Sequence, residues 1–228
     1  MRPAPLDVRA VLFDLDGTLA DTAPDLAAAL NKQLQAREHP ALPVEAVRQF
    51  VSQGARGMLR VGFGLTPQDA DYPALRDEFL RLYAMDLCNE SQLFPGMLQL
   101  LEQLEQRGLA WGIVSNKQEH LTLKVVQGLG LLSRAACVIG GDTTGRAKPH
   151  PDSLLEASRR LDLSPADCCY VGDDERDVQA SVAAGMTPVV ALYGYLGADK
   201  PPAQWGAQWL IERPLDLLKL LGPAPSMG

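Results

Sequence analysis

The chain has 228 residues, 46% of them hydrophobic, and a formal net charge of −7. That length suits one large domain or a core with a small insert, with enough apolar side chains for a sizeable interior. The acidic balance argues against a general grip on nucleic acid, and no apolar run approaches the length of a membrane span. Met1 to Ala10 shows no signal-peptide pattern. The four cysteines, Cys88, Cys137, Cys168 and Cys169, form no C-x-x-C pair; reduced thiols in a cytoplasm are the simple expectation.

The first informative stretch is Val11-Leu12-Phe13-Asp14-Leu15-Asp16-Gly17-Thr18. A short apolar run closed by turn residues reads as a buried strand, which delivers Asp14 and Asp16 to its carboxyl end. Gly17 permits a positive φ there. Thr22-Ala23-Pro24-Asp25 reads as a helix start, with Thr22 as the cap and Asp25 at the positive end of the helix dipole. From about Ala20 to Phe94 the periodicity is helical with no convincing strand. Val44 to Val51 reads as one helix and Leu75 to Leu87 as another. We read 20–93 as a helical cap domain inserted into a core made of 1–19 and 94–228.

Beyond Phe94-Pro95-Gly96 the pattern alternates. Helices are expected over Met97–Arg107, Glu119–Leu129, Ser153–Leu161 and Arg176–Ala184, and strands over Leu109–Val114, Ala136–Ile139, Cys168–Val171 and Thr187–Leu192. Trp209–Ile211 reads as an edge strand and Leu215–Leu221 as a closing helix, before a Pro/Gly-rich tail. Alternation of this kind predicts an α/β fold, a doubly wound, Rossmann-like parallel sheet covered on both faces. Ligands of such sheets bind at the carboxyl ends of the strands, where the strand order reverses.

Four pieces fall at those ends in order: Asp14/Asp16, Ser115-Asn116, Lys148-Pro149 and Gly172-Asp173-Asp174-Glu175-Arg176-Asp177. Each alone also reads as a turn, a loop start or a helix cap; their joint order points to one site. Several carboxylates in one pocket repel unless a cation joins them, and hard oxygen donors favour Mg²⁺ over Zn²⁺. Asp14 and Asp173 are the expected side-chain ligands, and Asp177 is expected to orient Lys148 or a metal-bound water. Asp174 is open between a helix-starting acid and a site role. His39, His120 and His150 form no ligand cluster and read as surface or loop residues.

These motifs, Asp14-Leu15-Asp16-Gly17-Thr18, Ser115, Lys148 and Gly172-Asp173 through Asp177, resemble the four motifs of the haloacid-dehalogenase-like hydrolase superfamily over nearly the whole chain. The resemblance implies phosphoryl transfer through an aspartyl-phosphate, with Mg²⁺. Asp14 would be the nucleophile, and Asp16 the acid and then base, ligating the metal through its backbone carbonyl. Ser115 Oγ and the Asn116 backbone N–H would hold phosphate oxygens, Thr18 would contact the substrate, and Lys148 would neutralise charge. An acid at Asp16 favours phosphate esters over halides. A phosphosugar mutase would use the same pair, and a phosphometabolite-binding protein on an inactive hydrolase fold is the rival from another class.

Gly54-Ala55-Arg56 places Arg56, in the cap segment, as a candidate grip for a substrate carboxylate. The chain is similar throughout to phosphoglycolate phosphatases. Gly54-Ala55-Arg56, Tyr193-Gly194-Tyr195 and Trp205-Gly206-Ala207 also resemble bacterial N-acetylmuramic acid 6-phosphate phosphatases. The partner expected is a small phosphorylated metabolite, for a cytoplasmic monomer or homodimer.

Overall fold

The computed structural model describes residues 5–197 and 200–222; the end of the Pro/Gly-rich tail lies outside them. The chain opens with β1 (Ala10–Phe13) and the two-residue β2 (Ala20–Asp21). Four helices follow, α1 (Ala23–Gln35), α2 (Val44–Arg48), α3 (Gly54–Phe63) and α4 (Tyr72–Met85), closed by β3 (Gln92–Leu93). Helices and strands then alternate through α5 (Met97–Gln106), β4 (Ala110–Val114), α6 (Glu119–Gly128) and β5 (Cys137–Ile139). The chain continues with α7 (Asp152–Leu161), β6 (Cys168–Gly172), α8 (Glu175–Ala184), β7 (Thr187–Ala191) and β8 (Trp209–Ile211).

Six strands form one parallel sheet in the order β5-β4-β1-β6-β7-β8. Side chains alternate between faces of a strand, and the apolar runs obey this rule. Val11 and Phe13 join Trp111, Ile113, Cys169 and Val171 in one cluster, whereas Ala10 and Leu12 join Val114, Cys168 and Tyr170 in another. Both faces are therefore buried, which is why the strands read as continuous apolar segments rather than alternating ones. The chain leaves β1 towards β4 and β5, then crosses to β6 and continues outward. The strand order thus reverses at β1, and the crevice lies above its carboxyl end.

Helices α1 to α4 bury their apolar stripes in a cluster of their own that includes Leu30, Leu34, Met58, Leu59, Phe79 and Tyr83. Burial of one such side chain contributes about 1.5–3 kcal/mol. Contrary to the all-helical expectation, this segment enters and leaves through a two-stranded antiparallel ribbon, with Ala20 opposite Leu93 and Asp21 opposite Gln92. Two-residue strands are too short to leave a periodic signal.

The helix expected over Val44–Val51 stops at Arg48. A 3₁₀ turn (Val51–Gln53) and α3 follow, because Ser52-Gln53-Gly54 breaks the stripe. The closing helix is a 3₁₀ segment, Pro214–Lys219. No helix among the described residues is long and apolar enough to cross a membrane.

Candidate active site

Asp14 caps the central strand and Asp173 follows its neighbour β6, so the parallel register alone brings them side by side. Oxygens of Asp14, Asp173 and Asp177 lie within 4.8 Å of one another, and all three residues are buried. The protein fastens each. Leu15 N–H donates to Asp14 Oδ1 (2.8 Å). Thr18 Oγ1 donates to Asp173 Oδ1 (2.8 Å) and Tyr195 N–H to Asp173 Oδ2 (2.9 Å). Asp177 Oδ2 accepts from the N–H groups of Asp173 (3.1 Å) and Asp174 (3.0 Å).

Two glycines make room for Asp173. Gly17 sits at φ +88°, and a Cβ there would come within 2.3 Å of Asp173 Oδ2; a Cβ on Gly194 would meet Asp173 Cβ at 2.3 Å.

Lys148 is the cation of this cluster. Its Nζ lies 3.0 Å from Asp14 Oδ1 and 2.8 Å from Asp177 Oδ1, and it donates to Tyr170 Oη (2.6 Å) and the Val114 carbonyl (3.2 Å). Asn116 holds the Lys148 loop through a reciprocal pair: Asn116 Nδ2 donates to the Lys148 carbonyl and Lys148 N–H donates to Asn116 Oδ1, both at 2.9 Å. The Asn116 side chain is thereby committed, leaving its backbone N–H for a ligand. Ser115 is buried at the end of β4, its Oγ accepting from Lys117 N–H (3.2 Å).

Burial pushes the Asp14 carboxyl up to about 7, with Lys148 opposing and Asp177 and Asp16 adding to the rise. Burial, then Asp14 and Asp177, also hold Asp173 well above the carboxylate range. Burial alone would lower Lys148, but Asp14 and Asp177 carry it above its ordinary value. When ionised, three carboxylates against one ammonium carry an excess of two negative charges, all on hard oxygen donors. A divalent cation fits that balance, and Mg²⁺ fits the donor chemistry. The cysteines at this depth, Cys168 and Cys169, lie in β6 as buried thiols outside the acid cluster.

Asp16 turns the other way. Its Oδ1 accepts from Thr22 Oγ1 (2.5 Å) and Lys117 Nζ (2.5 Å). Thr22 therefore does not cap α1 with its side chain. The Tyr195 hydroxyl does so from the core, accepting from the N–H groups of Thr22 (2.8 Å) and Ala23 (3.0 Å) and donating to Asp21 Oδ1 (2.8 Å). Asp25, in the first turn of α1 as expected, is also buried and accepts from the N–H groups of Glu90 and Ser91. Asp174 starts α8: it caps the helix and pairs with Arg176 through both oxygens, at 2.8 and 2.9 Å.

A cavity of about 190 Å³ opens over Asp14, Asp16, Ser115, Asn116 and Lys117, under an apolar roof that includes Leu26, Val51, Phe79 and Tyr83. Two residues expected against substrate stand elsewhere. Thr18 is fully buried, its hydroxyl engaged by Asp173. Arg56 is exposed and lines an adjoining cavity of about 250 Å³ with Arg60, Lys200 and Trp205. Gln53 and Arg176 border both cavities.

Sequence reasoning missed Lys117, Tyr83, Tyr195 and Arg176. Lys117 was next to a motif, yet no spacing rule shows which lysine folds back to meet Asp16. The three histidines are exposed, as expected.

Residues 11–191 match the family model of the haloacid dehalogenase-like hydrolases. A phosphoglycolate phosphatase of Xanthomonas campestris pv. campestris is 47% identical over 92% of this chain and 94% of its own length. An N-acetylmuramic acid 6-phosphate phosphatase of Pseudomonas putida is 40% identical over 95% and 97%. Among solved structures, one described as a predicted phosphoglycolate phosphatase from Haemophilus somnus superposes with a TM-score of 0.81 at 26% identity, covering 93% of this chain and 97% of that one. The chain belongs to the haloacid dehalogenase-like hydrolases.

Proposed function

We propose that this protein is a Mg²⁺-dependent phosphatase of small phosphate monoesters that works through an aspartyl-phosphate on Asp14. One observation carries the proposal: Asp14, flanked by Lys148 and Asp173, faces the same cavity as a second carboxylate, Asp16, which stands outside the acid cluster.

In the first half-reaction an Asp14 oxygen forms a bond to phosphorus and the bond from phosphorus to the ester oxygen breaks. The Asp16 carboxyl gives its proton to the departing alkoxide. In the second, Asp16 takes a proton from water as that water attacks the phosphorus of the acyl phosphate, releasing inorganic phosphate and the Asp14 carboxylate. Ser115 Oγ and the Asn116 N–H hold phosphoryl oxygens, and Lys148 lowers the repulsion between Asp14 and the incoming anion. Asp14 and Asp173, with the Asp16 carbonyl, would hold Mg²⁺, which when bound supplies positive charge against the phosphoryl oxygens. Thr18 and Asp177 act behind them, one fixing Asp173 and the other Lys148.

The helical segment 20–93 supplies the cavity roof and is proposed as the cap that selects the ester. The named relatives support an ester whose alcohol carries a carboxylate, phosphoglycolate or N-acetylmuramic acid 6-phosphate. For Arg56 the role proposed is contact with a carboxylate remote from the ester, since it lines the adjoining cavity. Turnover of p-nitrophenyl phosphate with Mg²⁺, abolished by EDTA and by Asp14→Asn, is the expected result. Turnover retained by Asp14→Asn would refute it.

A further inference from the structure

Lys117 is a charged residue of the reaction cavity that no step above uses. It follows Asn116 on the loop after β4, and its ammonium spans the cavity to donate to Asp16 Oδ1 (2.5 Å) and to Tyr83 Oη on α4 (2.9 Å). The same Nζ stands 5.0 Å over the Tyr83 ring, and the side chain is 9% exposed. A lysine this enclosed is rare without a reason, because its charge loses water and its flexible stem loses rotamers. Positioning Asp16 accounts for one donor and the tyrosine for a second. An ammonium has three, and the third is left for whatever fills the cavity that Lys117 lines.

Among the described residues, the other cations near the site are either committed or open on another cavity. Lys148 lies behind Asp14 with Asp14, Asp177, Tyr170 and the Val114 carbonyl around it. Arg176 forks onto Asp174 and donates to the Ser52 carbonyl (2.6 Å). Arg56 opens on the adjoining cavity.

In the reaction proposed above, the ester oxygen departs beside Asp16, and Lys117 touches that same carboxylate. A charged group borne one carbon beyond the ester carbon therefore comes off within reach of the ammonium. We propose that Lys117 is the specificity residue of this enzyme, selecting phosphate esters whose leaving alcohol carries a carboxylate next to the ester-bearing carbon. This rests on the phosphatase reading. Such a carboxylate gains a charge-assisted hydrogen bond in a largely apolar enclosure, where it is stronger than in water. A neutral alcohol of the same size leaves the third donor unpaired.

The test compares kcat/KM for 2-phosphoglycolate and ethyl phosphate, which share a two-carbon frame and differ in the carboxylate, with Mg²⁺ present. Wild type is expected to prefer 2-phosphoglycolate. Lys117→Met is expected to cut that preference about tenfold or more, chiefly through KM for the acid, and Lys117→Arg to keep most of it. Equal losses on both esters in Lys117→Met would mean that Lys117 acts only through Asp16, and would overturn the proposal. A measurement on wild type guards against a variant that fails to fold: glycolate is expected to compete with substrate and ethylene glycol is not, whereas equal inhibition by both counts against the assignment. Wild-type turnover of p-nitrophenyl phosphate without preference for the acid would sink this inference alone. Absence of turnover on all three esters would sink the phosphatase reading with it.

Discussion

Lys148 and Asp14 meet at 3.0 Å although they belong to distant stretches of the chain, and among the described residues Lys148 is the one cation paired with any of the three buried carboxylates. Removing it leaves Asp14, Asp173 and Asp177 facing one another in a dry pocket. Breaking a buried pair in this way costs about 3–5 kcal/mol. Lys148→Met is therefore expected to lower the melting temperature of the metal-free protein by roughly 6–20 °C and to remove measurable turnover. Thermal melts followed by circular dichroism check the first effect, and an unchanged melt would show that the pair carries no stability.

The raised Asp14 fixes the sign of a pH effect. With its folded-state pKa about 7 against an ordinary 3.8, the metal-free folded protein holds a proton that the unfolded chain has lost in that window. Its contribution to stability therefore falls as pH rises from about 4 to about 7, by at most about 4 kcal/mol. Asp173 acts in the same direction. Mg²⁺ favours the ionised forms, so the gap in melting temperature between Mg²⁺ and EDTA is expected to widen from about pH 5 to about pH 8. A gap independent of pH would contradict the cluster as a cation site.

Asp16 lies outside the Asp14–Asp173–Asp177 group, held by Thr22 and Lys117. Asp16→Asn is expected to slow alkyl phosphate hydrolysis by roughly 10²–10⁴-fold, with a smaller loss on p-nitrophenyl phosphate, whose alcohol departs without help. Mg²⁺ affinity, read by calorimetry, should stay within about threefold, because the Asp16 carbonyl persists. A collapse of metal binding would place the Asp16 side chain among the ligands.

Tyr195 carries a prediction about the join between core and helices. Its hydroxyl accepts two N–H groups at the start of α1 and donates to Asp21. Tyr195→Phe leaves the Thr22 N–H without a partner and the Ala23 N–H with only its longer bond to Asp21 Oδ1 (3.3 Å), at a cost of about 1–3 kcal/mol, or roughly 2–12 °C in melting temperature. A shift below about 1 °C would show that water replaces the hydroxyl.

Much of this architecture is legible because its causes are local. Apolar runs such as Cys168–Val171 end in turn residues, and a parallel sheet places whatever follows them at one edge, so the sequence itself groups Asp14, Ser115 and Asp173. What stayed hidden depends on contacts between remote segments. Thr22 reads as a helix cap on local grounds, yet Asp16 takes its hydroxyl and Tyr195 caps the helix in its place. Thr18 reads as a substrate contact, yet its hydroxyl serves Asp173. Helix α3 is masked by its glycines, which depress helix propensity although packing against α4 overrides it. Lys117 carries no local signature, because its meaning comes from Asp16 and Tyr83 on other elements.

The most direct test is acid quenching of the wild-type protein during turnover of ³²P-labelled substrate with Mg²⁺, followed by peptide mapping. The expected result is a hydroxylamine-sensitive label on the peptide containing Asp14, absent from Asp14→Asn. Label on another residue, or full turnover with phosphate never attached to the chain, would contradict Asp14 as the nucleophile.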